Sequence, residues 1–195
     1  MVVNQITQED KVKILNQKGV VVWFTGLPCS GKTTLTEKLG LSLHQKNIMA
    51  YTIDGDQIRK GLNSDLGFLK EDRSENIRRV GEVAKLFSDV GFVVIASLIS
   101  PFIKDRDNVR NNLGSDRFVD IYLDCPIEEC EKRDVKGHYK SARQGKIKDF
   151  TGVSSPYEPP LHPELSLRTS TDNIESCVDK VISYLVKFSH ISLES

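Results

Sequence analysis

A three-layer α/β fold, with a mainly parallel central sheet between two helical layers, is predicted by three observations. Short apolar runs recur at 20–24, 48–53, 92–99 and 118–123, and segments of helical period separate them. The run 92–99 is almost continuously apolar, as a central strand covered on both faces is. Each run gives way to residues suited to loops or helix starts: Gly26, Asp54-Gly55-Asp56, Ser100-Pro101 and Asp124-Cys125-Pro126.

In order, residues 1–18 are polar and form an N-terminal extension in which Val12, Ile14 and Leu15 suggest one short surface helix. The run 20–24 is the first strand. Leu35, Leu39 and Leu43 then recur at i, i+4, i+8, which predicts an amphipathic helix from Lys32 to about Gln45. The run 48–53 is the second strand, joined to the first by a right-handed parallel crossover. From Asp72 to Val90 the residues Ile77, Val80, Ala84, Phe87 and Val90 step inward, Gly91 stops the helix, and Arg73, Asn76 and Arg79 share another face. The run 92–99 is a central strand, and a charged, exposed helix spans Lys104 to Leu113. After the strand at 118–123, Pro126 opens a helix running to about Arg133. Residues 135–163 hold glycines, four prolines and interspersed lysines and arginines, and are expected to form a mobile basic lid. Residues 165–167 make a last short strand, and Asp172 with Glu175 caps a final helix whose Val178, Ile182 and Leu185 face inward.

The length of 195 residues suits one domain spanning 1–195. Lys plus Arg and Asp plus Glu both number 27, so the chain lacks the broad basic field of a nucleic-acid binder. Cys29, Cys125, Cys130 and Cys177 are scattered, lack zinc-site spacing and read as free thiols of a reducing cytoplasm. No basic leader and no long apolar span is present, so a soluble protein without membrane contact is expected.

The chemistry starts at Gly26-Leu27-Pro28-Cys29-Ser30-Gly31-Lys32-Thr33, a complete G-x-x-x-x-G-K-[ST] motif between a strand and a helix. Its glycines let the backbone turn N–H groups inward, and the helix that follows adds its positive end. This predicts a P-loop NTPase fold in which Lys32 reaches the outer phosphates of a nucleoside triphosphate and Thr33 ligates Mg²⁺. In an open parallel sheet, ligands bind beyond the carboxyl ends of the strands. Asp54 and Asp56 sit at such an end and suit the metal-binding and hydroxyl-orienting roles of a phosphoryl-transfer site. Arg59, Arg73 and Arg79 suit an anionic acceptor, and Phe68 is either a stacking platform or a side chain folded back on the core.

The stretch Asp54-Gly55-Asp56-Gln57-Ile58-Arg59-Lys60-Gly61-Leu62-Asn63, continued by Asp65-Leu66-Gly67-Phe68, Glu71-Asp72-Arg73 and Glu75-Asn76-Ile77-Arg78-Arg79, closely resembles the adenylylsulfate (APS) kinase family. Ile99-Ser100-Pro101 with Asp105-Arg106-Asp107, the stretch from Arg133 to Arg143 and the stretch from Phe150 to Glu158 extend the resemblance to nearly the whole chain. Phe102, Ile103 and Leu69 depart from the family's usual residues. The resemblance implies transfer of the γ-phosphoryl group of ATP to the 3′-hydroxyl of APS, giving PAPS; a related kinase with another nucleotide-like acceptor is the alternative. It implies that residues Gly26 to Thr34, Thr34 included, hold ATP and that Arg133 packs near its adenine. It implies that Arg59, Arg73, Asn76, Ile99, Ser100 and Phe150 contact APS, that Phe68 stacks on its adenine, and that Asp56 orients the 3′-hydroxyl beside Asp54. Ser100 matches a serine regarded in the family as a phosphoryl-enzyme position, and Lys32, Asp54, Asp56 and Ser100 are the catalytic expectations. A homodimer and an association with ATP sulfurylase are the partner expectations.

Overall fold

The computed structural model describes residues 6–193, so the first five residues of the 1–18 extension lie outside it. In chain order its main elements are α1 (Gln8–Leu15), β1 (Val20–Thr25), α2 (Lys32–Gln45), β2 (Ala50–Asp54), α3 (Gly55–Ile58), α4 (Lys70–Val90), β3 (Val93–Ser97), α5 (Ile103–Leu113), β4 (Phe118–Leu123), α6 (Ile127–Lys132), α7 (His138–Arg143), β5 (Leu165–Leu167) and α8 (Ile174–Lys187). Among the described residues the strands form one parallel sheet in the order β2-β3-β1-β4-β5. The expected β1–α2–β2 crossover therefore skips a place, which β3 fills later in the chain.

The sheet has three-layer packing because its strands are apolar on alternate residues as well as overall. Val20, Val22 and Phe24 face Leu35, Leu39 and Leu43 of α2 together with Val178, Val181 and Leu185 of α8. Val21 and Trp23 face the other way, onto Ile77, Val80 and Ala84 of α4 and Val109 and Leu113 of α5. Each fully buried side chain of this size contributes about 1.5–3 kcal/mol, so the central strand is the best-anchored element of the fold. No described helix is long and apolar enough to cross a membrane.

Several sequence expectations change. The 104–113 helix is not wholly exposed: Arg106, Val109 and Leu113 are buried, because an arginine that finds carbonyl partners can occupy an inner face. Val90 is 52 % exposed; it is the last residue of α4, just before the left-handed Gly91 that ends the helix as expected. The cap of α8 is Asn173, whose side chain accepts from the Ser176 amide at 2.7 Å, whereas Asp172 pairs with Lys180. Residues 135–163 contain α7, and Tyr139, Ala142 and Thr151 within them are buried. The 1–18 extension is also more than a surface helix. Gln17 is buried and bonds Met49 through both its amide oxygen and its amide nitrogen, tying the extension to the sheet.

Candidate active site

The loop after β1 takes its shape from backbone freedom at a few positions. A Cβ at Gly26 would fall 2.8 Å from Ser30 Oγ, so the close approach excludes any larger residue. Gly31 has φ 96° and Cys29 φ 60°, both in the left-handed region. Lys32 folds over this turn, donating to the carbonyls of Gly26 at 2.8 Å and Leu27 at 2.7 Å. Burial pushes its ammonium down to about 8, with nearby acidic groups opposing the shift.

This loop forms one wall of a cavity of about 1000 Å³ at the carboxyl ends of the strands. Pro28, Cys29, Gly31, Lys32, Thr33, Thr34 and Arg133 line the loop side; Asp54 and Asp56 lie at the end of β2; Arg59, Phe68, Arg73, Asn76, Ile99, Ser100 and Phe150 line the rest. Every sequence-derived site residue therefore meets the cavity except Gly26, Leu27 and Ser30, which shape the loop from behind, and Arg79. Arg79 is held by Asp65 at 2.7 Å and Glu75 at 2.8 Å, so its charge is satisfied elsewhere.

Asp54-Gly55-Asp56 is a strand end and a helix start rather than a bare turn. Asp54 Oδ1 accepts from the amides of Asp56 at 2.9 Å and Gln57 at 3.2 Å, capping α3. Its other oxygen lies 3.5 Å from Thr33 Oγ1, and the Asp56 carboxylate is left exposed. A hydroxyl and a carboxylate facing each other beside a phosphate loop fit Mg²⁺, which takes few protein oxygens and completes its octahedron with water and substrate phosphate.

Across the rest of the cavity lies a wall that pairs an aromatic ring with two guanidiniums. Phe68 is 60 % exposed, so it does not fold onto the core. The guanidinium of Arg59 lies 4.6 Å from its ring centre and that of Arg73 5.6 Å. Arg73 is buried and donates to the carbonyls of Phe68 at 2.8 Å and Asp149 at 2.5 Å, which fixes its fork. Burial lowers the pKa of both arginines, and Arg59 lowers that of Arg73 further. Two guanidiniums crowded in this way are stabilised by an incoming anion.

Sequence reasoning missed the supports of this wall. Asn63, wholly buried, donates to Asn76 Oδ1 at 3.0 Å and orients that amide. Ser100, with φ 39° and 1 % exposure, accepts the Trp23 indole N–H at 3.1 Å, while Arg106 donates to its carbonyl. Thr25 donates to the carbonyl of Ile99 at 2.8 Å. Trp23 and Thr25 lie 77 and 74 residues from their partners in the chain, and Arg106 reaches Ser100 from a helix whose charged sequence reads as exposed.

A parallel sheet whose central strand runs into a phosphate loop, with two arginines and an exposed phenylalanine in the same cavity, defines a nucleotide-dependent phosphotransferase. A family model described as adenylylsulphate kinase matches residues 18–168. The chain belongs to that family. It is 56 % identical over 181 residues to an adenylyl-sulfate kinase of Clostridium acetobutylicum, covering 93 % of this chain and 90 % of the relative. Among solved structures it is similar to the Mycobacterium tuberculosis APS kinase in complex with AMPPNP and APS, at 41 % identity and TM-score 0.82, covering 87 % of this chain and 99 % of that one. A hexameric APS kinase from Thiobacillus denitrificans is 28 % identical with TM-score 0.69, covering 91 % of this chain and 31 % of that one.

Proposed function

We propose that this chain transfers the γ-phosphoryl group of ATP to the 3′-hydroxyl of adenosine 5′-phosphosulfate, giving PAPS and ADP. The observation that carries the reading is the pairing, in one cavity, of a phosphate loop with the Phe68, Arg59 and Arg73 wall. A phosphate loop alone fits any nucleotide kinase; an aromatic face with two arginines fits an acceptor that has both a base and an anhydride of phosphate and sulfate.

The roles follow from position. Residues Gly26 to Thr34 hold the triphosphate, with Lys32 leaving its loop carbonyls for the outer phosphates. Arg133 covers the donor adenine. Arg59, Arg73 and Asn76 hold the acceptor's polar groups, Phe68 stacks on its base, and Phe150 and Ile99 close the cavity around it. Asp56 orients the 3′-hydroxyl for in-line attack, which needs positioning and charge stabilisation rather than a covalent intermediate. Ser100 is read as a positioning group, since its hydroxyl oxygen already receives the Trp23 N–H. Thr33 and Asp54 would hold Mg²⁺, which neutralises charge on the phosphates. Residues 135–163 act as the lid, residues 1–195 as one catalytic domain, and the cytoplasm is the proposed compartment. A homodimer and an association with ATP sulfurylase remain part of this proposal.

A coupled assay for ADP release with ATP, Mg²⁺ and APS tests the reading, with other nucleotides as competing acceptors. Turnover that depends on APS is expected. Turnover with a different nucleotide and none with APS would replace the acceptor while leaving the donor site in place.

A further inference from the structure

We infer that Tyr139 and Thr169 are positioning residues of the donor site, holding the phosphate loop in its anion-binding shape from outside, and that Tyr139 does so from within the lid. The inference rests on the proposed reading of Gly26–Thr33 as the ATP-phosphate loop.

A trans peptide points its C=O and N–H in opposite directions, so fixing a carbonyl outward turns the next amide hydrogen inward. Lys32 binds the Gly26 and Leu27 carbonyls, but this is the cation that must leave them to meet phosphate. The next two anchors do not involve it. Tyr139 Oη donates to the Pro28 carbonyl at 2.9 Å, which fixes the direction of the Cys29 amide. Thr169 Oγ1 donates to the Ser30 carbonyl at 2.8 Å, which fixes the Gly31 amide. Cys29 and Gly31 are also the two left-handed positions of the turn, where the backbone most needs an external hold.

Tyr139 is held in place by its packing and Thr169 through its backbone. Tyr139 is 2 % exposed, and its ring meets Phe150 edge-on at 4.9 Å. It belongs to a small separate core with Cys125, Cys130, Leu27, Ile127 and Val153, so α7 and the back of the loop share one packed unit. Thr169 is tied in turn to Arg133, which donates to its carbonyl at 2.7 Å. The loop's shape is thereby coupled to the lid through Tyr139 and to the arm over the donor base through Thr169.

Titration calorimetry with ADP on the full chain tests this, comparing the parent with Tyr139→Phe and Thr169→Val, each of which removes one hydroxyl and keeps its bulk. Each variant is expected to bind ADP about 3- to 10-fold more weakly, the scale of one lost hydrogen bond, with APS affinity within about twofold of the parent. A merely structural role predicts a lowered melting temperature with unchanged ADP affinity, and that result overturns the inference. Equal weakening of ADP and APS overturns it as well, since it means a loosened cavity. If Tyr139→Phe fails to fold, Thr169→Val, outside the small core, decides. A parent that binds ADP yet leaves APS unphosphorylated overturns the acceptor assignment instead, and the ADP comparison still stands.

Discussion

Lys32 shows how much of one residue's role is set by its surroundings. Its ammonium is charged in the free protein only below about pH 8, because burial opposes the charge. Bound phosphate favours the charged form, so the bound pKa lies higher and binding takes up a proton as pH passes 8. ADP affinity should therefore be full below 8 and fall above it, by up to about tenfold per pH unit. Calorimetry between pH 7 and 9.5 checks this, and a flat profile in the parent would contradict it; Lys32→Arg, always charged, should be flatter than the parent. Arg73 is proposed to serve the other substrate. Its fork is already fixed by two carbonyls, so Arg73→Ala should weaken APS by roughly 2–3 kcal/mol, the scale of a charge-assisted hydrogen bond, while ATP binding hardly changes. Separate binding measurements decide, and loss of ATP with APS retained would mean the two pockets are exchanged. At this scale the donor residues were legible as a motif because a phosphate loop needs fixed types at fixed spacing. The residues proposed for the acceptor rest mainly on a long resemblance. Asn63 and Trp23 were not legible, since each acts through a partner that only folding brings near.

Elements were legible where burial is two-sided or strictly periodic. The limits expected for α2 and β4 agree with the structure, because a largely apolar run or a leucine every fourth residue has one packing solution. Helix ends were harder. Asp172 and Asn173 both suit a cap, and only the backbone decides that Asn173 accepts from Ser176. Asn173→Ala should therefore cost about 1 kcal/mol, whereas Asp172→Ala, which breaks an exposed pair with Lys180, should cost at most a few tenths. Chemical denaturation of the two variants checks the order, and the reverse order would return the cap to Asp172. The inner helix of the 135–163 segment was illegible because its glycines and prolines hide a six-residue helix. Hydrogen exchange there should slow on adding ADP with APS, as closure excludes water from the transfer step. Equal exchange with and without nucleotides would make the segment an ordinary connection.

For the whole molecule, the parallel order of strands was legible from the alternation of elements, but the place of each strand was not. β3 enters between β1 and β2 for reasons of packing that no local pattern records. The same central region holds a titrating cost. Asp120 on β4 is buried, and desolvation raises its carboxyl to about 6 despite Arg106 and Arg110. Between about pH 4 and 6 the unfolded chain loses this proton first, so stability falls as pH rises through that window and the full cost applies above it. Asp120→Asn should match the parent near pH 4 and exceed it by about 2–3 kcal/mol above pH 6, measured by urea unfolding. A constant gap across pH would remove Asp120 from the account. The strand order has one more consequence, for synthesis on the ribosome. β1 and the phosphate loop are translated before both hydrogen-bonding neighbours of β1, the second of which ends at Leu123. At about 5–20 residues per second, the apolar strand that anchors nucleotide binding waits roughly 5–20 s for its neighbours. During that interval the apolar strand is open to holding chaperones, and the nucleotide site cannot assemble until β4 has been made.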